Sequence, residues 1–283
     1  MKLSLAVWSV VLVCGCTASG PEPACTGAGQ AVTVCATGAT VKGIDVSKYQ
    51  GTIDWSKVAA AGIKFGFARV SDGTQYPDSF FAANWKNMKA QGLVRGVYQF
   101  FRASQDPIAQ ADLLLTDVTN AGGFVPGDLP PVIDVETADG QTDTTVRARM
   151  QAWLDHIQSA IGRKPIIYSG PSHSAMLGNG FTSYPLWVPN WGVSCPNLTS
   201  SWTTWTFWQD SDQGSVSGVA GAVDTDLFNG SLSELQAFAS EAASDAGAPS
   251  GDAGASATDA SASDASATST PDASAPPTDP CAP

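Results

Sequence analysis

The chain has 283 residues, of which 43% are hydrophobic and only 14% are charged, so it is long enough to bury a sizeable core. Its 26 acidic and 14 basic side chains give a net charge of −12 and a pI near 4.3. This acidic balance argues against nucleic acid as a partner. It places no limit on a neutral ligand.

Residues 1–15 have the features of a secretory signal peptide. Lys2 precedes an apolar run from Leu3 to Val13, which is too short to span a bilayer. The next residues, up to Cys16, are similar to a bacterial lipobox, in which the final cysteine receives the lipid anchor. We therefore expect an exported protein: either an envelope lipoprotein anchored in the membrane through Cys16, or a secreted protein released by ordinary signal-peptide cleavage.

The remaining cysteines predict disulfides. An oxidising compartment would leave four candidates, which are Cys25, Cys35, Cys195 and Cys281. Cys25 and Cys35 could close a small loop within a linker of residues 16–40, or Cys195 could clamp this linker to the body. No spacing of Cys with His resembles a zinc site, so the sequence predicts neither a metal nor a cofactor.

Between residues 41 and 239, apolar strand-like runs alternate with amphipathic helical stretches, which predicts an α/β fold around a mainly parallel sheet. The predicted strands are Val41–Val46, Lys64–Val70, Val94–Phe101, Pro131–Val135, Pro165–Tyr168, Pro185–Pro189, Thr204–Gln209 and Ala222–Phe228. The predicted helices are Trp55–Ala61, Asp78–Gln91, Pro107–Ala121, Thr144–Ile161 and Leu232–Ala239, with Asp54 and Asp78 as N-caps. Eight strands with fewer helices favour a modified TIM-like barrel over a complete eightfold repeat.

Residues 240–283 form a tail rich in Ala, Ser, Asp and Pro. From Glu241 onward it contains no aromatic residue, no Lys and no Arg. Such a composition cannot bury enough apolar surface to offset the entropy of folding, so we expect a disordered spacer. Cys281 near its end could form a disulfide or a tether.

Two carboxylates, Asp134 and Glu136, lie at the end of the short apolar run that begins at Pro130 and Pro131. Because side chains alternate along a strand, both would emerge on one face, with Cα atoms about 6–7 Å apart. Like charges this close raise one of the two pKa values, which gives a proton donor beside an anion. That combination suits cleavage of a glycosidic bond, although solvated acids at a strand end would give the same pattern.

Two further acids, Asp45 and Asp224, are predicted at strand ends, so four carboxylates could converge on one mouth of a barrel. Aromatic residues that could stack on sugar rings crowd the same strands. They are Tyr98, Tyr168, Trp187, Trp191, Trp202, Trp205 and Trp208. Each of them could equally be an ordinary core residue.

Several segments resemble glycoside hydrolase family 25, the Chalaropsis-type lysozymes, in the right order and spacing over about residues 41–239. They are Gly43-Ile44-Asp45-Val46-Ser47-Lys48-Tyr49-Gln50-Gly51, Pro131-Val132-Ile133-Asp134-Val135-Glu136, Pro185-Leu186-Trp187-Val188, Phe207-Trp208-Gln209 and Gly221-Ala222-Val223-Asp224-Thr225-Asp226-Leu227-Phe228-Asn229-Gly230. The resemblance implies a β/α barrel with fewer helices than strands. It also implies hydrolysis of the β-1,4 bond between N-acetylmuramic acid and N-acetylglucosamine in peptidoglycan.

The same resemblance implies roles for individual residues. Glu136 matches the proton donor, and Asp134 matches the acid that supports the substrate's 2-acetamido group as it attacks the anomeric carbon. Asp45 and Asp224 match acids lining the groove. Residues expected to contact sugar or frame the site are Tyr98, Tyr168, Trp187, Asn190, Trp208 and Gln209. The expected protein is a monomer acting on glycan strands.

The chain departs from the family pattern at Gln99, where His is common, at Arg69–Gly73, where Lys-Ala-Thr-Glu-Gly is common, and at Pro189, where Ala is usual. None of these changes removes a predicted catalytic acid. Two other functions stay open from the sequence: a glycan-binding module that has lost activity, and a chitinase-like hydrolase. The chitinase pattern needs a further acid two residues before Asp134, where this chain has Val132.

Overall fold

The structure, a computed structural model, describes residues 32–199 and 202–241. The predicted signal peptide, the Cys16 lipidation site, Cys25, Cys281 and all but the first two residues of the tail lie outside these ranges.

Nine strands form one sheet in this part of the chain. They are β1 (Thr40–Val46), β2 (Phe65–Asp72), β3 (Tyr76–Pro77), β4 (Val94–Phe100), β5 (Val132–Asp134), β6 (Ile166–Tyr168), β7 (Leu186–Pro189), β8 (Phe207–Gly214) and β9 (Val223–Asn229). The order is β1-β9-β8-β7-β6-β5-β4-β2-β3, and pairing of β1 with β2 closes eight strands into a barrel. Neighbours are parallel except that β9 runs antiparallel to both β1 and β8, and β3 extends β2 as a short antiparallel hairpin. The predicted eight-stranded barrel with fewer helices is confirmed.

Six α-helices surround the barrel in the described ranges, and the last of them packs Leu235, Phe238 and Ala239 against the aromatic residues of the barrel interior. The six helices are α1 (Trp55–Ala60), α2 (Phe81–Ala90), α3 (Pro107–Asn120), α4 (Asp143–Ile161), α5 (Ser174–Leu177) and α6 (Leu232–Ser240), and short 3-10 helices span Lys48–Gln50 and Pro171–His173. Side-chain caps define where two of these helices begin. Asp106 caps α3, with Pro107 in its first turn, and Ser231 forms a capping box with Glu234 on α6. Of the helices described, none is long and apolar enough to cross a membrane.

The five predicted helices are all present, but one predicted cap is wrong. Asp54 caps α1 by accepting from the Lys57 amide, as expected. Asp78 lies three residues before α2, whose N-cap is Phe80. Its Oδ1 accepts from the Phe80 amide at 3.0 Å in the turn before the helix, and its Oδ2 accepts from the Lys48 amide at 2.7 Å and from Arg69 Nε on β2 at 3.3 Å. The short α5 and β3 carried no sequence signal.

Aromatic rings fill the interior of the barrel. Phe67 stacks on Trp187 with ring centroids 4.4 Å apart, and its edge meets Phe207 at 5.2 Å. Glycine on the neighbouring strands makes room for these rings, since a Cβ at Gly43 would collide with the Phe65 ring and a Cβ at Gly96 with the Phe67 ring. The packed rings form a solid floor beneath the open end of the barrel.

A disulfide joins Cys35 to Cys195, with Cα atoms 4.7 Å apart. This confirms that Cys195 clamps the N-terminal segment to the body. Backbone bonds reinforce the clamp, since the Val34 amide donates to Pro196 O at 3.0 Å and the Leu198 amide donates to Val32 O at 2.9 Å. The clamp therefore braces the loop that follows β7.

Replacing both cysteines, Cys35→Ser with Cys195→Ser, should lower the free energy of unfolding by about 2–4 kcal/mol. The reason is that the crosslink closes a loop of 160 residues in the unfolded chain. Denaturant unfolding of the oxidised wild type and the double variant measures the difference. A reduced wild type that is as stable as the oxidised protein would contradict the expectation.

Candidate active site

The open end of the barrel holds a cavity of about 190 Å³. Its lining consists of Asp45, Tyr98, Asp134, Glu136, Tyr168, Trp187, Trp191, Gln209, Asp212 and Asp224. The fold thus brings together all four predicted catalytic acids and four of the six predicted sugar-contacting residues.

A second cavity of about 440 Å³ shares Glu136, Tyr168 and Trp191 with the first. Asn190 lines this second space, where its Oδ1 accepts from the Asn197 amide at 2.7 Å. Glu136 therefore stands where the two cavities meet. An extended ligand could occupy both spaces and present an internal bond to Glu136.

Trp208 lies on the other face of the sheet from these cavities. It alternates with the inward-facing Phe207 and Gln209 on β8 and packs in the outer hydrophobic cluster, 5.9 Å from the Trp205 ring centroid. Its indole donates to Asn190 O at 2.9 Å. The structure thus places Trp208 behind Asn190, as part of the wall that supports the second cavity.

Asp224 reaches the site for a different reason from the one the sequence suggested. It was expected at the carboxyl end of a strand, but it is the second residue of β9. Because β9 runs antiparallel to its neighbours, its start lies at the rim where the other strands end, and Asp224 pairs directly with Asp45 on β1. The predicted location of Asp224 at the mouth of the barrel is therefore right, but Asp224 lies at the start of its strand and not at the carboxyl end.

Asp134 and Glu136 differ sharply in exposure. Asp134, at the end of β5, is 4% exposed, whereas Glu136 stands two residues beyond the strand and is exposed. Burial raises the pKa of Asp134 well above its usual range, and the charge of Glu136 and a hydrogen bond with it raise it further. Its Oδ1 is buried with no hydrogen-bond partner, which also favours the neutral, protonated form of Asp134.

Gln209 orients Asp45 on the opposite wall. Its Oε1 accepts from Tyr168 Oη at 2.9 Å and from Trp191 Nε1 at 3.0 Å, so its Nε2 is left to donate to Asp45 Oδ2 at 2.8 Å. Burial and the charge of Asp224 raise the pKa of Asp45, and the bond from Gln209 opposes this rise. One amide therefore links an acid to two of the aromatic walls.

Asp226 is a buried acid that sequence reasoning did not include in the site. It is 1% exposed, and its Oδ1 accepts from Trp187 Nε1 at 2.9 Å while Oδ2 has no hydrogen-bond partner. Burial raises its pKa well above the usual range, and the nearby Asp45 adds to the effect. The signal was available, because Asp224 and Asp226 are two residues apart on one strand and share a face.

Two further residues were missing from the predicted site. Trp191, which the sequence does not distinguish from its other aromatic residues, is 48% exposed and lines both cavities. Asp212 follows an irregularity in the pairing of β8, which hides its orientation from any alternation rule. Burial, followed by the charges of Asp212 and Glu136, raises the pKa of Asp224 to about 6.

Comparison with known proteins agrees with this geometry. The sequence model of glycosyl hydrolases family 25 matches residues 44–219. Lysozyme M1 of Streptomyces globisporus is 38% identical over 216 residues, covering 72% of this chain and 72% of its own. N,O-diacetylmuramidase of Chalaropsis sp is 28% identical over 219 residues, covering 71% of this chain and all of its own.

A solved structure gives the same result. The bacterial lysozyme from Streptomyces coelicolor superposes with a TM-score of 0.67 at 38% identity, over 71% of this chain and 97% of its own. With the family match spanning more than half of the chain, the protein belongs to glycosyl hydrolase family 25 and is a glycoside hydrolase.

Proposed function

We propose that the protein is a muramidase that hydrolyses the β-1,4 bond between N-acetylmuramic acid and N-acetylglucosamine in peptidoglycan. The observation that carries this proposal is the gathering of Asp45, Asp134, Glu136 and Asp224 in one cavity. The relatives named lysozyme and N,O-diacetylmuramidase support the substrate class. Export of the chain, as its N-terminal sequence predicts, would bring it to this substrate, whether it is secreted or anchored through Cys16.

Glu136 is the proton donor in this proposal. Its carboxyl group is exposed where the two cavities meet, so it can reach the oxygen of a bound glycosidic bond. The buried Asp134 cannot approach the leaving group in the same way. The proton that Asp134 holds passes through Glu136 to the leaving oxygen, and Asp134 is then left as an anion.

That anion completes the reaction. As the C–O bond breaks, the carbonyl oxygen of the substrate's 2-acetamido group bonds to the anomeric carbon, and positive charge develops on the acetamido nitrogen. Asp134 accepts a hydrogen bond from that N–H and stabilises the charge in a water-poor setting. Water, deprotonated by Glu136, then opens the ring intermediate and restores the acetamido group.

Aromatic side chains form the sugar-binding surfaces. Trp191 is held by its bond to Gln209 and offers an exposed face, whereas Trp187 is buried as the floor beneath the acids. Tyr98 and Tyr168 meet Trp187 edge-on at 6.1 and 4.8 Å between centroids. Asp45 and Asp224 supply hydrogen-bond acceptors for sugar hydroxyls.

Mass spectrometry of borohydride-reduced digests of purified peptidoglycan tests the proposal. A muramidase leaves N-acetylmuramic acid at the new reducing end, so reduced muramic acid should accumulate and chitin oligomers should stay uncut. Reduced glucosamine ends would show that another bond is broken. Binding to the sacculi with no new reducing end would show a binding module without activity.

A further inference from the structure

A charged cluster formed by Asp72, Arg102 and Asp139 lines neither cavity and has no part in the mechanism above. Arg102 Nε and Nη2 donate to the two carboxylate oxygens of Asp72 at 2.5 and 2.7 Å, and Nη1 donates to Asp139 Oδ1 at 3.3 Å. Asp72 ends β2, Arg102 follows β4, and Asp139 lies three residues after Glu136. The cluster therefore joins three loops at the open end of the barrel.

Arg102 is a rigid centre for this cluster. Its backbone is fixed on α3, since its amide donates to Gln110 Oε1 at 2.9 Å and its carbonyl accepts from Gln110 Nε2 at 3.0 Å. Its guanidinium packs over the Phe100 ring at 4.5 Å. The two-pronged contact with Asp72, the single bond to Asp139 and the stacked face leave the guanidinium group little freedom to move.

Asp139 holds an unusual backbone conformation. Its φ of 48° is the one positive value for a residue other than glycine in the described ranges. Its amide donates to Thr137 Oγ1 at 3.0 Å, and its Oδ2 is buried with no hydrogen-bond partner. A residue in this region of backbone space is maintained by its surroundings, and the contact with Arg102 is the charged part of them.

The other side of Glu136 is fixed as well. The Val135 amide donates to Tyr168 O at 2.9 Å, and the Val135 carbonyl accepts from Ser169 Oγ at 2.8 Å. Glu136 and Thr137 thus lie between one anchor at Val135 and another at Asp139. Glu136 is exposed, so the direction of its side chain depends strongly on this short span of backbone.

We propose that Arg102 and Asp139 are positioning residues that hold the backbone after Glu136, and with it the Glu136 carboxyl group, in line with the bond to be cut. This role rests on the proposed function. The ion pairs are partly exposed, with 31% of the Arg102 side chain accessible, so they add little to global stability. Their effect is on geometry, because small misplacements of a reacting group reduce the rate by up to about 100-fold.

Hydrogen exchange and kinetics of Arg102→Ala together test the proposal. Amides of residues 137–141 should exchange faster in the variant while the melting temperature changes little. On the glycan that the wild type cuts, kcat should fall about 10- to 100-fold with KM nearly unchanged, and Arg102→Lys should recover part of it. Unchanged exchange at residues 137–141 would overturn the anchor whatever the substrate is.

Matched variants separate the effect of the Asp139 charge from the effect of its backbone conformation. Asp139→Asn tolerates the positive φ but loses the charge, so it should reproduce the kinetic loss, and combining it with Arg102→Ala should add little further loss. Arg147→Ala is the control, because Arg147 ties α4 to Met176 O at 3.0 Å outside the site. Additive losses, or an equal kcat loss in Arg147→Ala, would contradict a shared positioning role. A wild type that cuts no glycan would refute the proposed function and leave the exchange result to decide on the anchor.

Discussion

Replacement of Glu136 by Gln is expected to lower the kcat for peptidoglycan cleavage by about 10²- to 10⁴-fold while the protein stays folded. Glutamine has the shape of glutamate but no acidic proton, so the leaving oxygen would depart without protonation. Glu136 is exposed and lies outside the packed clusters, so its loss should not weaken the barrel. Initial rates of reducing-end formation, with melting curves on the same samples, measure both effects.

The matched control is Glu241→Gln, which removes an exposed carboxylate from the last described residue, by a separate cavity. It should leave the rate unchanged. Asp134→Asn should also lose activity, because an amide cannot become the anion that faces the acetamido group. Activity of Glu136→Gln within a few-fold of the wild type would assign the proton transfer to another residue.

The barrel could be predicted from the sequence because its strands are short, apolar and bounded by glycine and proline. The Pro130–Pro131 pair marks the start of β5 and the polar loop after Glu136 marks its end. The sequence carries no comparable signal for the direction of a strand. The antiparallel course of β9 follows from how the barrel closes between β8 and β1, which is a property of the whole sheet.

The site was predictable where a residue's role follows from its strand position, and less so where it follows from contacts. Asp45 and Asp134 end strands, so their convergence is built into the barrel. Gln209 could be named from its motif, but its three bonds to Tyr168, Trp191 and Asp45 depend on the final packing. The Arg102 cluster joins loops far apart in the chain, so no local pattern reports it.

The buried acids that serve the site are expected to destabilise the fold as pH rises. Burial raises the pKa of Asp45, Asp134 and Asp226, and that of Asp224 rises to about 6. From about pH 4, near the unfolded value, up to these native values, the native state binds more protons than the unfolded chain, so the free energy of unfolding falls with rising pH. Melting curves from about pH 4.5 to about pH 8 should show this fall.

Asp226→Asn isolates one part of the effect. At about pH 8 it should raise the free energy of unfolding by roughly 1–3 kcal/mol, the size measured for buried polar groups without partners, and it should give little gain near pH 4.5. The amide in the Asp226→Asn variant would keep an oxygen that accepts from Trp187 Nε1, so cleavage should continue. Asp134→Asn, by contrast, should stabilise the protein and abolish cleavage.

Asp54→Asn is the control of opposite sign, because contacts with Ser56 and Lys57 lower the pKa of exposed Asp54 to about 2. Equal destabilisation by Asp226→Asn at both pH values would mean that Asp226 acts as a charged anchor for Trp187.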